Sequence, residues 1–263
     1  MPKLEGVALH CGAHVTVEMF REAGPIRFRR RGVEIPARLA NVASTDRATT
    51  LAAGGERIGL VEHLLAALRV AGHYSGVLIE VDADELPILD GSSLPWFEAV
   101  AELGAPDSAP PPLLVSRTVS VTSGSSTATL EPGAESLTYQ IDFAHPAIGA
   151  QTWSGGPGHY HDLLGARTFG FMNEVEELHR RGLAKGAALE HAIVFADEGP
   201  LRPLRWVDEP VRHKALDALG DLSLLGRPLV GSVHIVRGSH TLHHLLMKSL
   251  VAAEGPSDEG PLA

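Results

Sequence analysis

EPVRHKALDALGDLSLLG, residues 209–226, is the longest helix that the sequence predicts, and its reading decides the fold. Pro210 stands where a first helical turn tolerates a missing N–H. Acids precede it at the positive end of the helix dipole, and Gly226 supplies the stop. A shorter stretch, EHLLAALRVAG at 62–72, repeats the design with apolar residues at helical spacing and a closing glycine. Each helix is followed by a β-rich run, GSVHIV (231–236) and SGVLIEV (75–81) respectively. Two copies of one strand-and-helix unit would each cover a sheet with helices, leaving two helical layers to face one another. The expected fold is therefore α+β: two similar domains, each a β-sheet layered against helices, with the helical layers face to face. In that arrangement His63 and His213 approach across the seam.

Working outward, HVTVEMF (14–20), GPIRFRR (24–30) and GGERIGL (54–60) read as strands, and LPWFEAVAELG (94–104) as an amphipathic helix. In the second half LLVSRTVSVT (113–122), TATLEP (127–132), SLTYQIDF (136–143) and HAIVFA (191–196) read as strands. EVEELHRRG (174–182) and TLHHLLMKSLVAA (241–253) read as helices. Between the halves, GAPDSAPPP (104–112) carries four prolines and continues neither helix nor sheet. The expected division is a first domain at 1–105, a Pro-rich linker at 106–112, a second domain at 113–253 and a flexible tail at 254–263.

Composition narrows the function. The 263 residues are 44% apolar and 21% charged, enough to bury a core. A net charge of −10 argues against nucleic-acid binding, though a few local cations can still hold one small phosphorylated ligand. A single cysteine, Cys11, excludes an internal disulfide and suits a reducing compartment. No run of 18 apolar residues occurs, and MPKLEGVALHCG has no apolar signal, so a soluble cytoplasmic protein without stable membrane insertion is expected. Fourteen histidines stand out as metal ligands or proton carriers.

Single spacings decide little. His213 and Asp217, four apart on one helix face, could grip a divalent metal with a third ligand from elsewhere. Chance supplies about 1.7 His-x-x-x-acid pairs in a chain of this composition, and two occur, so a surface ion pair explains the spacing as well. Glu62–His63 reads either as a base beside a ligand or as a helix-start carboxylate favoured by the dipole. His240 reads as a general acid or as a loop or capping histidine, and His243 and His244 as solvent-facing. Asp221 either orients another group or sits in water. Asp90–Gly91–Ser92 fits a turn, and Cys11 a small filler.

Several longer strings carry more weight. GVALHCG, VEHLLAAL, LPILDGSSLPW, IDFAHPAIG, ARTFGFMNEVEELHRRGLAKG, VRHKALDALGDLSLLG and RGSHTLHH occur in that order. Over residues 5–250 the chain resembles the UDP-3-O-acyl-N-acetylglucosamine deacetylases, zinc amidases that commit a bacterial nucleotide sugar to lipid A synthesis. The resemblance implies an active site between the facing helical layers, with zinc held by His63, His213 and Asp217 and water in the open position; Fe2+ suits the same two-histidine, one-aspartate donor set. It makes Glu62 the general base, Thr168 an oxyanion donor, and His240, oriented by Asp221, the acid or electrostatic stabiliser. Lys214 and Arg237 would face the diphosphate and Phe143 the uracil. A βαβ insertion near 171–196 would hold the acyl chain, with Leu9 and Phe169 among the substrate contacts. The implied partner is a UDP-linked acylated amino sugar bound by a monomer. The alternatives are a divergent amidase for another N-acylated amino sugar and a non-catalytic nucleotide-sugar binding protein.

Three departures from the family pattern stand out. Ser239 occupies the place of the glycine that normally precedes the acid histidine, with Gly238 one position earlier. His243–His244 replaces a usual pair of asparagines. STDRATTLAAGG and the link from HAIVFA to WVDEPVRHK are short. Ser239 is expected to shift His240 slightly and lower activity, and the short segments touch substrate fit, acyl-chain length above all.

Overall fold

The computed structural model describes residues 1–186 and 188–254, with only the backbone of residue 254. It is an α+β fold whose two five-stranded sheets have the same topology. In the first, the strands run Lys3–Val7, His14–Pro25, Ser75–Val81, Arg27–Arg30 and Val33–Pro36 across the sheet. In the second they run Val119–Ser123, Ser126–Glu131, Ser232–Val236, Ser136–Asp142 and Ala150–Gly155. Both consist of two antiparallel hairpins with a late strand inserted between them, antiparallel to one neighbour and parallel to the other. The register in the second sheet sets Leu130 and Leu137 on either side of Val233, so one buried row crosses three strands.

The late strands are delivered by helices. Helix α1 (Glu62–Val70) precedes Ser75–Val81, and α2 (Leu94–Ala101) follows it. Helix α3 (Val175–Arg180) belongs to a small layer in which Phe169–Phe171 and Ile193–Ala196 pair in parallel. Helix α4 (Glu209–Leu222) precedes Ser232–Val236, and α5 (His240–Glu254) follows it. Beyond α4 the chain tightens through Ser223–Leu225 and stops at Gly226 in the left-handed region, φ 68°.

Two large apolar clusters lie beneath the sheets, and the helices interlock them. Ala66 of α1 packs in the second cluster, and Leu224, just past α4, in the first. Gly220 permits this closeness, because a Cβ there would collide with the Glu62 carbonyl oxygen at the start of α1. Elsewhere in a helix Gly→Ala would stabilise by up to about 1 kcal/mol. Here Gly220→Ala is expected to destabilise by roughly 1–3 kcal/mol through overpacking, read as a lower midpoint in thermal unfolding. An unchanged or higher midpoint would show that the helix contact is slack.

Three expectations need correction. LLVSRTVSVT is not one strand: Leu113–Leu114 pairs with Leu229–Val230, and the sheet strand begins only at Val119. The final helix starts at His240, not Thr241, which changes the reading of its histidines. Cys11 is exposed rather than filling space; its N–H donates to the Glu85 carboxylate at 3.0 Å. The expected tail lies, beyond residue 254, outside the described residues. Among the described residues no helix is long and apolar enough to cross a membrane.

Candidate active site

The crossing of α1 and α4 brings together side chains that are 150 residues apart in sequence. His63 Nε2 and His213 Nε2 lie 3.1 Å apart. Asp217 Oδ1 is 3.6 Å from the first and 3.4 Å from the second. Two ring nitrogens this close share either one proton or one cation. All three residues are buried, at 2–3% exposure, so the grouping is no surface ion pair. Burial pushes the His213 imidazole well below its ordinary value, against the pull of Asp217. Burial alone would raise the Asp217 carboxyl, but His213 and Lys214 hold it well below the usual carboxylate range. Lys214 Nζ donates to Asp217 Oδ2 at 3.0 Å and also lies over the Phe169 ring.

Neutral imidazoles and an ionised carboxylate are the donor forms that a divalent metal requires. A tetrahedral ion bonded at about 2.0–2.1 Å needs ligand atoms roughly 3.3 Å apart, and the triangle here has sides of 3.1, 3.4 and 3.6 Å. The donor set therefore fits zinc. Among the described residues, the buried Nδ1 atoms of both histidines have no hydrogen-bond partner.

Beside the triangle stands an acid–base array. The Glu62 carboxyl, buried at the first turn of α1, accepts the Thr49 backbone N–H at 3.1 Å. Burial raises its pKa, against the pull of His240 and His63. His240 opens α5 with Nε2 3.6 Å from Glu62 Oε1 and Nδ1 2.7 Å from Asp221 Oδ2. Burial opposes its charge, but Asp221 and Glu62 prevail and push it up to about 10. Asp221 is itself held well below the carboxylate range, because His240 outweighs the cost of burial.

These groups line a cavity of about 230 Å³ with Leu9, Thr45, Arg47, Leu60, Thr168, Phe169, Lys214, Gly238 and Ser239. Leu9, Arg47, Thr168 and Phe169 also line an adjoining, mainly apolar groove of about 300 Å³. That groove runs along Phe171, Val175 and Leu178 to Leu189 and Val194. Thr168 is fixed from behind by a buried ion pair. Arg167 donates from Nε and Nη2 to Glu209, the first residue of α4, at 2.8 and 3.0 Å. Two further N–H groups, those of Arg167 and Arg205, reach the same carboxylate.

The structure thus gathers Glu62, His63, Thr168, Phe169, His213, Lys214, Asp217, His240 and Leu9 around one cavity, with Asp221 behind His240. Phe143 and Arg237 are not among its lining residues. Phe143 packs edge-on against Phe169, and Arg237 pairs with Asp142 at 2.8 Å. His243 and His244, expected in solvent, are 1% and 3% exposed. With α5 beginning at His240, positions three and four further on share its inward face, and Leu245 turns outward instead. Thr49 was missed. It joins Glu62 through its N–H and Asp221 through its hydroxyl, which donates to Oδ1 at 2.6 Å. Nothing local in STDRATT marks it out.

An α+β chain of paired sheets, with acid–base groups and a potential metal triangle buried where the helix layers cross, stands among the hydrolases. More narrowly, the chain belongs to the UDP-3-O-acyl N-acetylglycosamine deacetylase family, whose model matches residues 2–252. It is similar to the UDP-3-O-acyl-N-acetylglucosamine deacetylase of Myxococcus xanthus, with 42% identity covering 95% of this chain and 83% of the relative. The enzyme of that name from Thermosynechococcus vestitus is 41% identical, over 93% of this chain and 90% of its own. The one from a Geobacter species is 38% identical, over 94% and 85%.

Proposed function

We propose that this protein hydrolyses the N-acetyl amide of a UDP-linked 3-O-acyl-N-acetylglucosamine, with zinc held by His63, His213 and Asp217. The observation that carries the reading is the His–His–Asp triangle, whose sides match a tetrahedral ion, beside a carboxyl of raised pKa. Bound there, the ion would polarise the acetyl carbonyl and acidify water. Ferrous iron suits the same donors.

The chain's own groups do the rest. Glu62 takes the proton as the water oxygen bonds to the acetyl carbon. The Thr168 hydroxyl donates to the oxygen that becomes negative. His240, kept charged by Asp221 and Glu62, stabilises that anion and supplies a proton to the departing nitrogen. The C–N bond breaks, releasing acetate and a free glucosamine amine.

Lys214 and Arg237 are assigned to the diphosphate and Phe143 to the uracil. Arg237 donates to Asp142 through Nη2, whereas Lys214 already faces the cavity. The apolar groove, with Leu9 and Phe169 at its inner end, is assigned to the acyl chain. The proposal treats 1–105 and 113–253 as two domains joined by 106–112, with 171–196 inserted in the second. The proposal takes the protein to be a cytoplasmic monomer.

The test pairs metal analysis with acetate release from the acylated UDP-sugar. One zinc per chain is expected at high affinity, lost on replacing His63, His213 or Asp217 with alanine together with activity. A zinc-replete protein that releases no acetate would overturn the reading.

A further inference from the structure

Asp221 has more partners than orienting one histidine requires. Its Oδ1 accepts the Thr49 hydroxyl at 2.6 Å. Its Oδ2 is shared between His240 Nδ1 at 2.7 Å and His243 Nδ1 at 2.8 Å. A carboxylate only accepts, so both imidazoles carry their proton on Nδ1 toward it. On its other side, His243 Nε2 lies 3.3 Å from the Tyr139 hydroxyl, which donates to it. Both nitrogens of His243 are thereby committed and the ring can neither flip nor change tautomer without losing a bond. His244 closes the group with Nε2 3.1 Å from the Thr49 hydroxyl. Every member is buried, and every hydrogen bond among them joins groups distant in sequence.

We propose that His243 is a positioning residue for His240, fixing the Asp221 carboxylate so that the His240 ring stays aimed at Glu62; this rests on the deacetylase reading for its kinetic consequence alone. Two anchors on different oxygens stop the carboxylate from turning about its last torsion. Without His243, Thr49 and His244 remain on the Oδ1 side, and no group other than His240 itself holds Oδ2, so that oxygen and the His240 ring can swing together. Misplacement of a proton donor by about 1 Å costs on the order of 100-fold in rate.

His243→Ala and His243→Leu both remove the donor, and only the first leaves a cavity. Each is expected to lower kcat by about 10- to 100-fold, with KM within about twofold and zinc retained. His243→Asn, whose amide nitrogen falls near the position of Nδ1, should recover most of that loss. The His240 Nδ1–H resonance, assigned by its disappearance in His240→Gln, should shift or broaden in the first two variants and return in the third. Unchanged kcat, a loss confined to KM, an asparagine variant no better than alanine, or failure of both donor-free variants to fold would each overturn the proposal. If the wild-type protein releases no acetate, the deacetylase reading fails by itself. The resonance then decides for His243: a signal unaffected by His243→Leu overturns its positioning role.

Discussion

Glu62→Gln is expected to lower acetate release by roughly two to four orders of magnitude with the metal content unchanged. Gln keeps the shape of the side chain and can still accept the Thr49 N–H. It cannot take a proton, and taking one is the role proposed for this carboxyl. The environment favours that role, since burial raises the Glu62 pKa while His240 keeps the charged form accessible. The loss should fall on kcat more than on KM, because the proton moves only as the reaction proceeds. Retention of more than a tenth of wild-type turnover would remove Glu62 from proton transfer. Loss of metal in the variant would instead make it part of the metal site.

Glu209→Ala is expected to destabilise the fold by about 3–5 kcal/mol, the cost of leaving a buried guanidinium without its counter-charge. That corresponds to a fall of roughly 10 °C in Tm for a chain of this size. Glu209 is fully buried and receives four N–H donors, three from Arg167 and one from Arg205. These bonds tie the segment bearing Thr168 to the first turn of α4, one turn before His213. Activity should therefore fall more than the unfolded fraction explains. The double variant Arg167→Met/Glu209→Leu buries no charge and should recover part of the lost stability. A single variant as stable as wild type would mean that water reaches Arg167 and solvates it.

Periodicity and end signals carried the architecture because they act within a few residues. Pro210 and Gly226 bracket α4 and its tightened last turn, and the strand-and-helix echo anticipated two sheets with facing helix layers. The strand-and-helix echo already brought His63 towards His213, but Asp217 as their third partner was legible only through the family strings, since His213–Asp217 spacing by itself equals chance. What stayed hidden depends on packing. Residues 241–253 are apolar enough to be helical, but their pattern does not say which face turns inward, so His243 and His244 were placed in water. Thr49 meets Asp221 across 172 positions, and no local rule connects them. Arg237 and Phe143 show the converse: a matching string locates a residue in the fold, while its partner of the moment, Asp142 or Phe169, is set by neighbours.

The side-chain-free contact at Gly220 has a consequence for how reactivity and integrity are linked. The backbone atom it rests against belongs to Glu62 itself, so the spot that lets the layers nestle also sets the height of the carboxyl proposed as proton acceptor. Any bulk wedged into that crevice would tilt this carboxyl away from Thr49 and His240 before it disturbed the sheets. Turnover is thus the most sensitive gauge of whether the two layers are seated.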